Sequence, residues 1–297
     1  MSNLRNLRTF LAIAHHGSFS EAAEQVSLTQ AAVSFQMRAL EQELGRPLFE
    51  RSGRMSVLSP AGRELLPEIQ RLVEHYDRLR MRHAEPGELA GSVAFGAIVS
   101  CMGILSRAVS QLKRDHPALD VRVFAGKAAE LSSRVLSGEL DAAIVVESAR
   151  PAKGLRFTAM YQEPLVAVAP ASCAARSARE ALSGRAFLRF DRSERTGRLI
   201  DQALRRLKWP VEEFLELNSI ETLVELVRQE VGVTLLPRLH HASWENDSEL
   251  SVLPLGHEHV NMARVIGMVE RTENSRRDIT ETLYASCARH SRQRTAA

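Results

Sequence analysis

The chain has 297 residues, three cysteines and a formal net charge of +3, with 44% hydrophobic and 25% charged side chains. That length suits roughly two or three domains, and the mild basicity, pI about 9.0, fits nucleic acid without requiring it. Cys101, Cys173 and Cys287 are odd in number and far apart, which argues against a disulfide framework and suits a reducing cytoplasm; no run approaches the roughly eighteen apolar residues of a membrane span, and the first residues lack the core of a signal peptide.

Leu4, Leu7, Phe10, Leu11 and Ala14 form one apolar stripe and predict a first helix over about 3–15, ended by Gly17. His15 and His16 are adjacent, so they point in different directions and read as a helix end rather than a metal site. Ser18 stands three residues before Glu21, the spacing of a reciprocal helix cap, and predicts a short helix over 21–26. Thr29 caps a second helix that runs to about Leu44 and stops at Gly45, with Pro47 just beyond. Val33, Met37, Leu40 and Leu44 are its buried face; Gln30, Ser34 and Arg38 lie a turn apart on the other, with Phe35 beside them. Gln, Ser and Arg can read base edges or grip phosphates, and the layout is that of a helix-turn-helix recognition helix. A plain solvated face has the same pattern. The next residues favour DNA: Arg46, Arg51 and Arg54 surround a Ser52-Gly53 turn and the short run Met55–Leu58, a two-stranded wing offering arginines to a phosphate backbone. Arginines and acidic residues nearly balance through Glu85, so the case for DNA rests on where the arginines sit.

Ser59 and Pro60, cap and first helical residue, open a long helix to about His83. Leu65, Leu66, Ile69, Leu72, Val73, Tyr76 and Leu79 make a stripe that wants a partner helix, the alternative being its own domain. Arg71, Arg78, Arg80 and Arg82, with Glu68, Glu74 and Asp77, solvate the rest, and Pro67 should bend the helix. Glu85-Pro86-Gly87 then breaks it. From Gly91 strands and helices alternate: strands over 92–98, 119–124 and 141–146, helices over 104–116 and 129–137. A second block from Glu163-Pro164 has strands over 165–169, 186–190, about 213–217 and 233–236, and helices over 196–207 and 220–230. The chain returns to the first block with a strand over 264–269 and a helix over 278–290. This alternation predicts two lobes built on parallel sheets, with a ligand cleft lined by strand carboxyl ends and helix amino ends.

The run FLAIAHHGSFSEAAEQVSLTQAAVSFQMRALEQELGRPLFERSGRMSVLSPAG resembles the amino-terminal winged helix-turn-helix of LysR-type transcriptional regulators, the match extending from Leu4 to about Arg82. GSVAFGAIVSCMGILSRAV, GELDAAIV and NSIETLVELVRQEVGVTLLP resemble, more loosely, the effector domain of the same family. The resemblance implies an α + α/β fold in three parts. These are a winged helix-turn-helix over 1–60 (helix-turn-helix about 18–40), a linker and dimerisation helix over 61–87, and an effector domain over 91–297. The last would be a two-lobed α/β body like a type 2 periplasmic binding protein, lobe I about 91–162 and 264–297 and lobe II about 163–263. It further implies DNA contacts from the positions of Gln30, Ala31, Ser34, Phe35 and Arg38, with Thr29 at the head of the helix and a wing arginine, Arg51 or Arg54. Many members carry Arg or another polar residue where this chain has Phe35; phenylalanine can touch a thymine methyl or a sugar but cannot hydrogen-bond guanine, which leaves the operator open.

Several residues are candidates for the effector site. Ser100 and Cys101 follow the first strand and precede a helix; Ser100 matches a position where relatives use a hydroxyl, and it equally suits a helix cap. Cys101 is either a redox sensor or a small buried hydrophobe. Lys127 stands where many relatives have Ser or Thr; in the cleft it would favour an anionic metabolite, and as a solvated loop residue it would not. Glu147 would either line the cleft or pair with Lys127 and neutralise it. Asn218, Ser219 and Thr222 offer polar contacts or cap a helix. No phosphate loop or Gly-x-Ser-x-Gly elbow occurs, and His240-His241 and His257-x-His259 read as loop residues. The expectation is a cytoplasmic regulator without catalytic residues, metal or cofactor, whose partners are double-stranded DNA, a small-molecule effector, RNA polymerase and further copies of itself as dimer or tetramer. The alternatives are an enzyme tethered to DNA by its N-terminal domain and an architectural DNA-binding protein; turnover of a ligand, or indifference to every ligand, would distinguish them.

Overall fold

The computed structural model describes residues 4–52, 55–80, 89–148, 152–239, 242–256 and 262–292. Arg54, Arg82, the Glu85-Pro86-Gly87 break, His240-His241 and the His257–His259 pair lie outside the described residues.

Three helices and a hairpin make the amino-terminal unit: α1 (Leu4–His16), α2 (Phe19–Gln25), α3 (Gln30–Leu44), β1 (Phe49–Ser52) and β2 (Met55–Leu58). The caps form locally. The Ser18 hydroxyl accepts from the Glu21 N–H and the Thr29 hydroxyl from the Ala32 N–H, while Gly45, at φ 69°, closes α3 in the left-handed conformation that favours glycine. Phe10, Ile13, Val33, Met37 and Leu40 are fully buried together. Glu41 ties α3 to the wing: its Oε1 accepts from the Leu48 and Phe49 N–H groups at 2.7 and 3.2 Å. Gly62 is required where the next helix starts, because a Cβ there would meet the Leu48 carbonyl at 2.2 Å.

That helix, α4 (Pro60–Arg80), contains Pro67. Its apolar stripe divides. Ile69 and Val73 are buried in the core of the amino-terminal unit, with Leu65 and Leu66 packed against it. Leu72 and Tyr76 remain 54% and 44% exposed. Packing on its own domain therefore consumes one side of the stripe and leaves the other uncovered.

The remainder forms two lobes. Lobe I is built on β3 (Gly91–Ala97), β4 (Leu119–Ala125) and β5 (Ala142–Val146), with α5 (Met102–Asp115) and α6 (Ala128–Leu136). Then comes β6 (Leu155–Pro170), followed in lobe II by α7 (Ala178–Leu182), β7 (Ala186–Phe190), α8 (Arg195–Leu207), β8 (Glu212–Leu217), α9 (Ile220–Arg228), β9 (Thr234–Pro237) and β10 (Leu250–Pro254). The chain returns through β11 (Ala263–Arg271) and ends with α10 (Arg277–Arg292).

The sheets are mixed rather than parallel. Parallel pairing joins β4-β3-β5 and β7-β8, with a single parallel bridge from Phe187 of β7 to Val233; β11 runs antiparallel to β5 and β6, and β6 antiparallel to β9 and β10. The cause is β6, a single 16-residue strand whose first half pairs with β11 in lobe I and whose second half pairs with β9 and β10 in lobe II. The sequence pattern places a break at Glu163-Pro164, yet Pro164 falls at the last pair of the β6–β11 ladder, where a strand tolerates a residue without an N–H. The strand β10 and the short helix α7 have no counterpart in the sequence-based expectation.

Candidate functional site

Two surfaces qualify. The first is the outer face of α3. Gln30, Ala31, Phe35 and Arg38 are exposed and Ser34 half-buried, all on the side away from Val33, Met37 and Leu40. Phe35 is 74% exposed. Thr29 accepts the Ala32 N–H as cap, which leaves its hydroxyl proton free to donate to a phosphate oxygen. Arg51 lies in β1 opposite Ser56. Arg46 pairs with Glu64 at 3.2 Å and so braces the start of α4.

The second is a cavity of about 560 Å³ between the lobes. Of the residues singled out in the sequence, it brings together Ser100, Lys127, Asn218 and Ser219. Three do not line it. Cys101 points into the core of lobe I, fully buried beside the Tyr161 hydroxyl. Glu147 is exposed elsewhere, its N–H donating to the Val265 carbonyl, and it does not pair with Lys127. Thr222 donates its hydroxyl to Ser219 and helps order the cap of α9. Ser219 accepts from Thr222 twice, so its own proton can face a ligand.

Lys127 is paired across the cleft. Its ammonium lies 3.2 Å from Glu194 and 3.3 Å from Asp191, both in lobe II. Glu194 and then Asp191 raise its pKa; hydrogen bonding from Ser193, with Lys127 adding to it, lowers that of Asp191. A second bridge lies deeper. Arg264, in β11, donates from Nε to Glu163 at 2.6 Å, from Nη2 to Ser100 in lobe I at 2.9 Å, and from Nη1 to Thr196 in lobe II at 3.1 Å. The side chains of Arg264 and Glu163 are 3% and 1% exposed. One planar guanidinium thus holds three groups that no flexible ammonium could reach at once. Ser100 is therefore not a helix cap; its oxygen accepts from Arg264 in the lining of the cleft.

Helix amino ends converge here too. Ala128, Arg195, Thr196 and Ile220, the opening residues of α6, α8 and α9, all line the cavity. Neither α6 nor α8 has a side-chain cap, so their first N–H groups are available to a ligand oxygen. Sequence reasoning missed Arg264, Glu163, Thr196, Asp191, Glu194 and Arg195. The signal for two of them was present: Glu163 and Arg264 are charges that stand just before the apolar runs 165–169 and 265–269.

Burial pushes the Cys101 thiol up to about 11, with the Glu163 carboxylate adding to the effect. At neutral pH it is therefore a thiol without thiolate character, and the buried-hydrophobe reading holds over the redox one. Native protein treated with iodoacetamide should label Cys101 only on unfolding; labelling within minutes in buffer, read by peptide mass, would contradict this.

Comparison with known proteins gives a consistent picture. Residues 86–292 match the family described as "LysR substrate binding domain", and residues 4–63 match "Bacterial regulatory helix-turn-helix protein, lysR family". The transcriptional activator IlvY of Salmonella typhimurium is 28% identical over 245 residues, covering 80% of this chain and 83% of that protein. Among solved structures, full-length OxyR from Pseudomonas aeruginosa superposes with a TM-score of 0.73 at 24% identity, covering 96% of this chain and 94% of that one. CbnR, solved in complex with its target DNA, shares the fold at a TM-score of 0.59 and 18% identity, covering 97% and 99%.

Proposed function

The chain belongs to the LysR family, a DNA-binding transcriptional regulator with an effector-binding domain, and from that premise we propose that its effector is a small anionic metabolite held between the lobes. The observation that supports this most directly is the Lys127 ammonium, set between two uncapped helix amino ends and held by carboxylates of the opposite lobe. An effector carboxylate would replace Asp191 and Glu194 on Lys127 while taking N–H groups of α6 and α8. Binding would then cost one link between the lobes and supply another. The effector biases the arrangement of the lobes to the extent that it binds the two arrangements unequally. The domain binds its ligand without transforming it.

The DNA side of the proposal uses α3. Gln30, Ala31, Ser34 and Phe35 would face base edges and sugars, while Thr29, Arg38 and the wing arginines Arg51 and Arg54 would face phosphates. Exposed Leu72 and Tyr76 on α4 support pairing with the same helix of a second copy, which would place two recognition helices on one pseudo-palindromic site. Assembly to a tetramer, contact with RNA polymerase and a cytoplasmic setting complete the reading; among the described residues no helix is long and apolar enough to cross a membrane.

The test is Lys127→Ala. Operator affinity should be largely intact, while the change in footprint length or DNA bending produced by acidic metabolites should disappear. A retained response would remove Lys127 from the effector site.

A further inference from the structure

A second cavity of about 390 Å³ lies beside the interlobe cleft, walled by α6, the end of β5, the start of β6 and the first turns of α8. Its floor is apolar. Val145 and Val269 belong to the small core under α6, and Leu155 and Phe157 pack against that core while leaving a face toward the hollow. Its rim is basic. Among the described residues, Lys127, Arg195 and Arg198 line it against one carboxylate, Glu194. Arg195 has no hydrogen-bond or ion-pair partner among the described residues, and Arg198 donates to the Ser193 carbonyl with one of its nitrogens only. The Lys127–Glu194 pair is the partition between this hollow and the cleft.

These features select a chemistry. A wholly polar anion would leave the valine and phenylalanine floor facing water, and a neutral hydrocarbon would gain nothing from the guanidinium groups. A small molecule with an aliphatic or aryl body and a carboxylate head satisfies both, because a guanidinium accepts a carboxylate through paired N–H donors while the body displaces water from an apolar wall. We propose that this cavity is a second ligand site, distinct from the interlobe cleft, for a small amphipathic carboxylate whose head lies against Arg195 and Arg198. The cleft, by contrast, has an amide and more acidic groups in its lining, among them Glu130 and Glu221.

The experiment is fluorine NMR of the full-length protein with para-fluorophenylacetate, with para-fluorophenylacetamide as its neutral counterpart. Saturable binding of the acid is expected, with the amide weaker by about tenfold or more. Arg198→Glu, at an exposed position, should weaken the acid about tenfold or more. Ser132→Phe, which projects from α6 into the hollow, should do the same; should that variant fail to fold by circular dichroism, Arg198→Glu decides alone. Asn218→Leu, in the cleft lining, should change affinity less than about twofold. The proposal is overturned by the absence of saturable binding, by equal affinity for acid and amide, or by binding that survives Arg198→Glu and is lost in Asn218→Leu. The last result would place the probe in the cleft.

Discussion

An Arg264→Met chain should lose about 3–5 kcal/mol of stability in its effector domain, the usual consequence of removing one partner from a buried ion pair. Three contacts go with the guanidinium: the Glu163 carboxylate, the Ser100 hydroxyl and the Thr196 hydroxyl. The carboxylate decides the magnitude. Glu163 is 1% exposed, and without its guanidinium its buried oxygens lose their charged partner. The double variant Glu163→Leu, Arg264→Met should recover much of the loss, because a well-packed apolar pair of similar volume is often as stable as the ion pair it replaces. Arg264→Lys should fall between, since one ammonium cannot reach both lobes and Glu163 in a single geometry. Urea unfolding followed by circular dichroism reads all three. A single-variant loss below about 1 kcal/mol would mean that Arg264 does not link the lobes.

Gln30→Ala or Ser34→Ala should cost about 1–3 kcal/mol at the preferred site and flatten the preference among bases, and in a dimer the cost falls on each half-site. Arg51→Ala should instead weaken all sequences alike and reduce the salt slope by about one. Phe35 separates the two classes. Exposed at the centre of the face, it has no hydrogen bond to give, so Phe35→Arg should create a preference for guanine that the parent chain lacks, through paired donors to O6 and N7. Competition binding on a randomised duplex library measures these effects together. An unchanged base preference in Ser34→Ala and Phe35→Arg would take α3 out of the groove.

How much of this could be read from the residues depended on distance along the chain. The amino-terminal unit was legible because its determinants are local: Ser18 and Glu21, Thr29 and Ala32, Gly45, and apolar steps of three and four. In the cleft, positions were legible and partnerships were not. Ser100, Lys127, Asn218 and Ser219 follow strands, which is enough to place them at the mouth of an α/β domain. That Lys127 meets Asp191, 64 residues away, or that Arg264 meets Glu163 and Ser100, 101 and 164 residues away, follows only from how the lobes are threaded. Glu147 was misplaced for this reason: adjacency to the right strand does not say which way a loop turns. The stripe on α4 was legible as apolar but not as divided, because periodicity counts apolar positions without saying how many neighbours will claim them.

The unbroken course of β6 through both sheets has a mechanical consequence. Two bodies joined by loose linkers can swing apart at little cost, but these share one strand, β6, hydrogen-bonded to β11 on the lobe I side and to β9 and β10 on the lobe II side. Such a connection acts as a torsion bar. On this geometry we expect an occupant between the lobes to alter the angle between them rather than to part them.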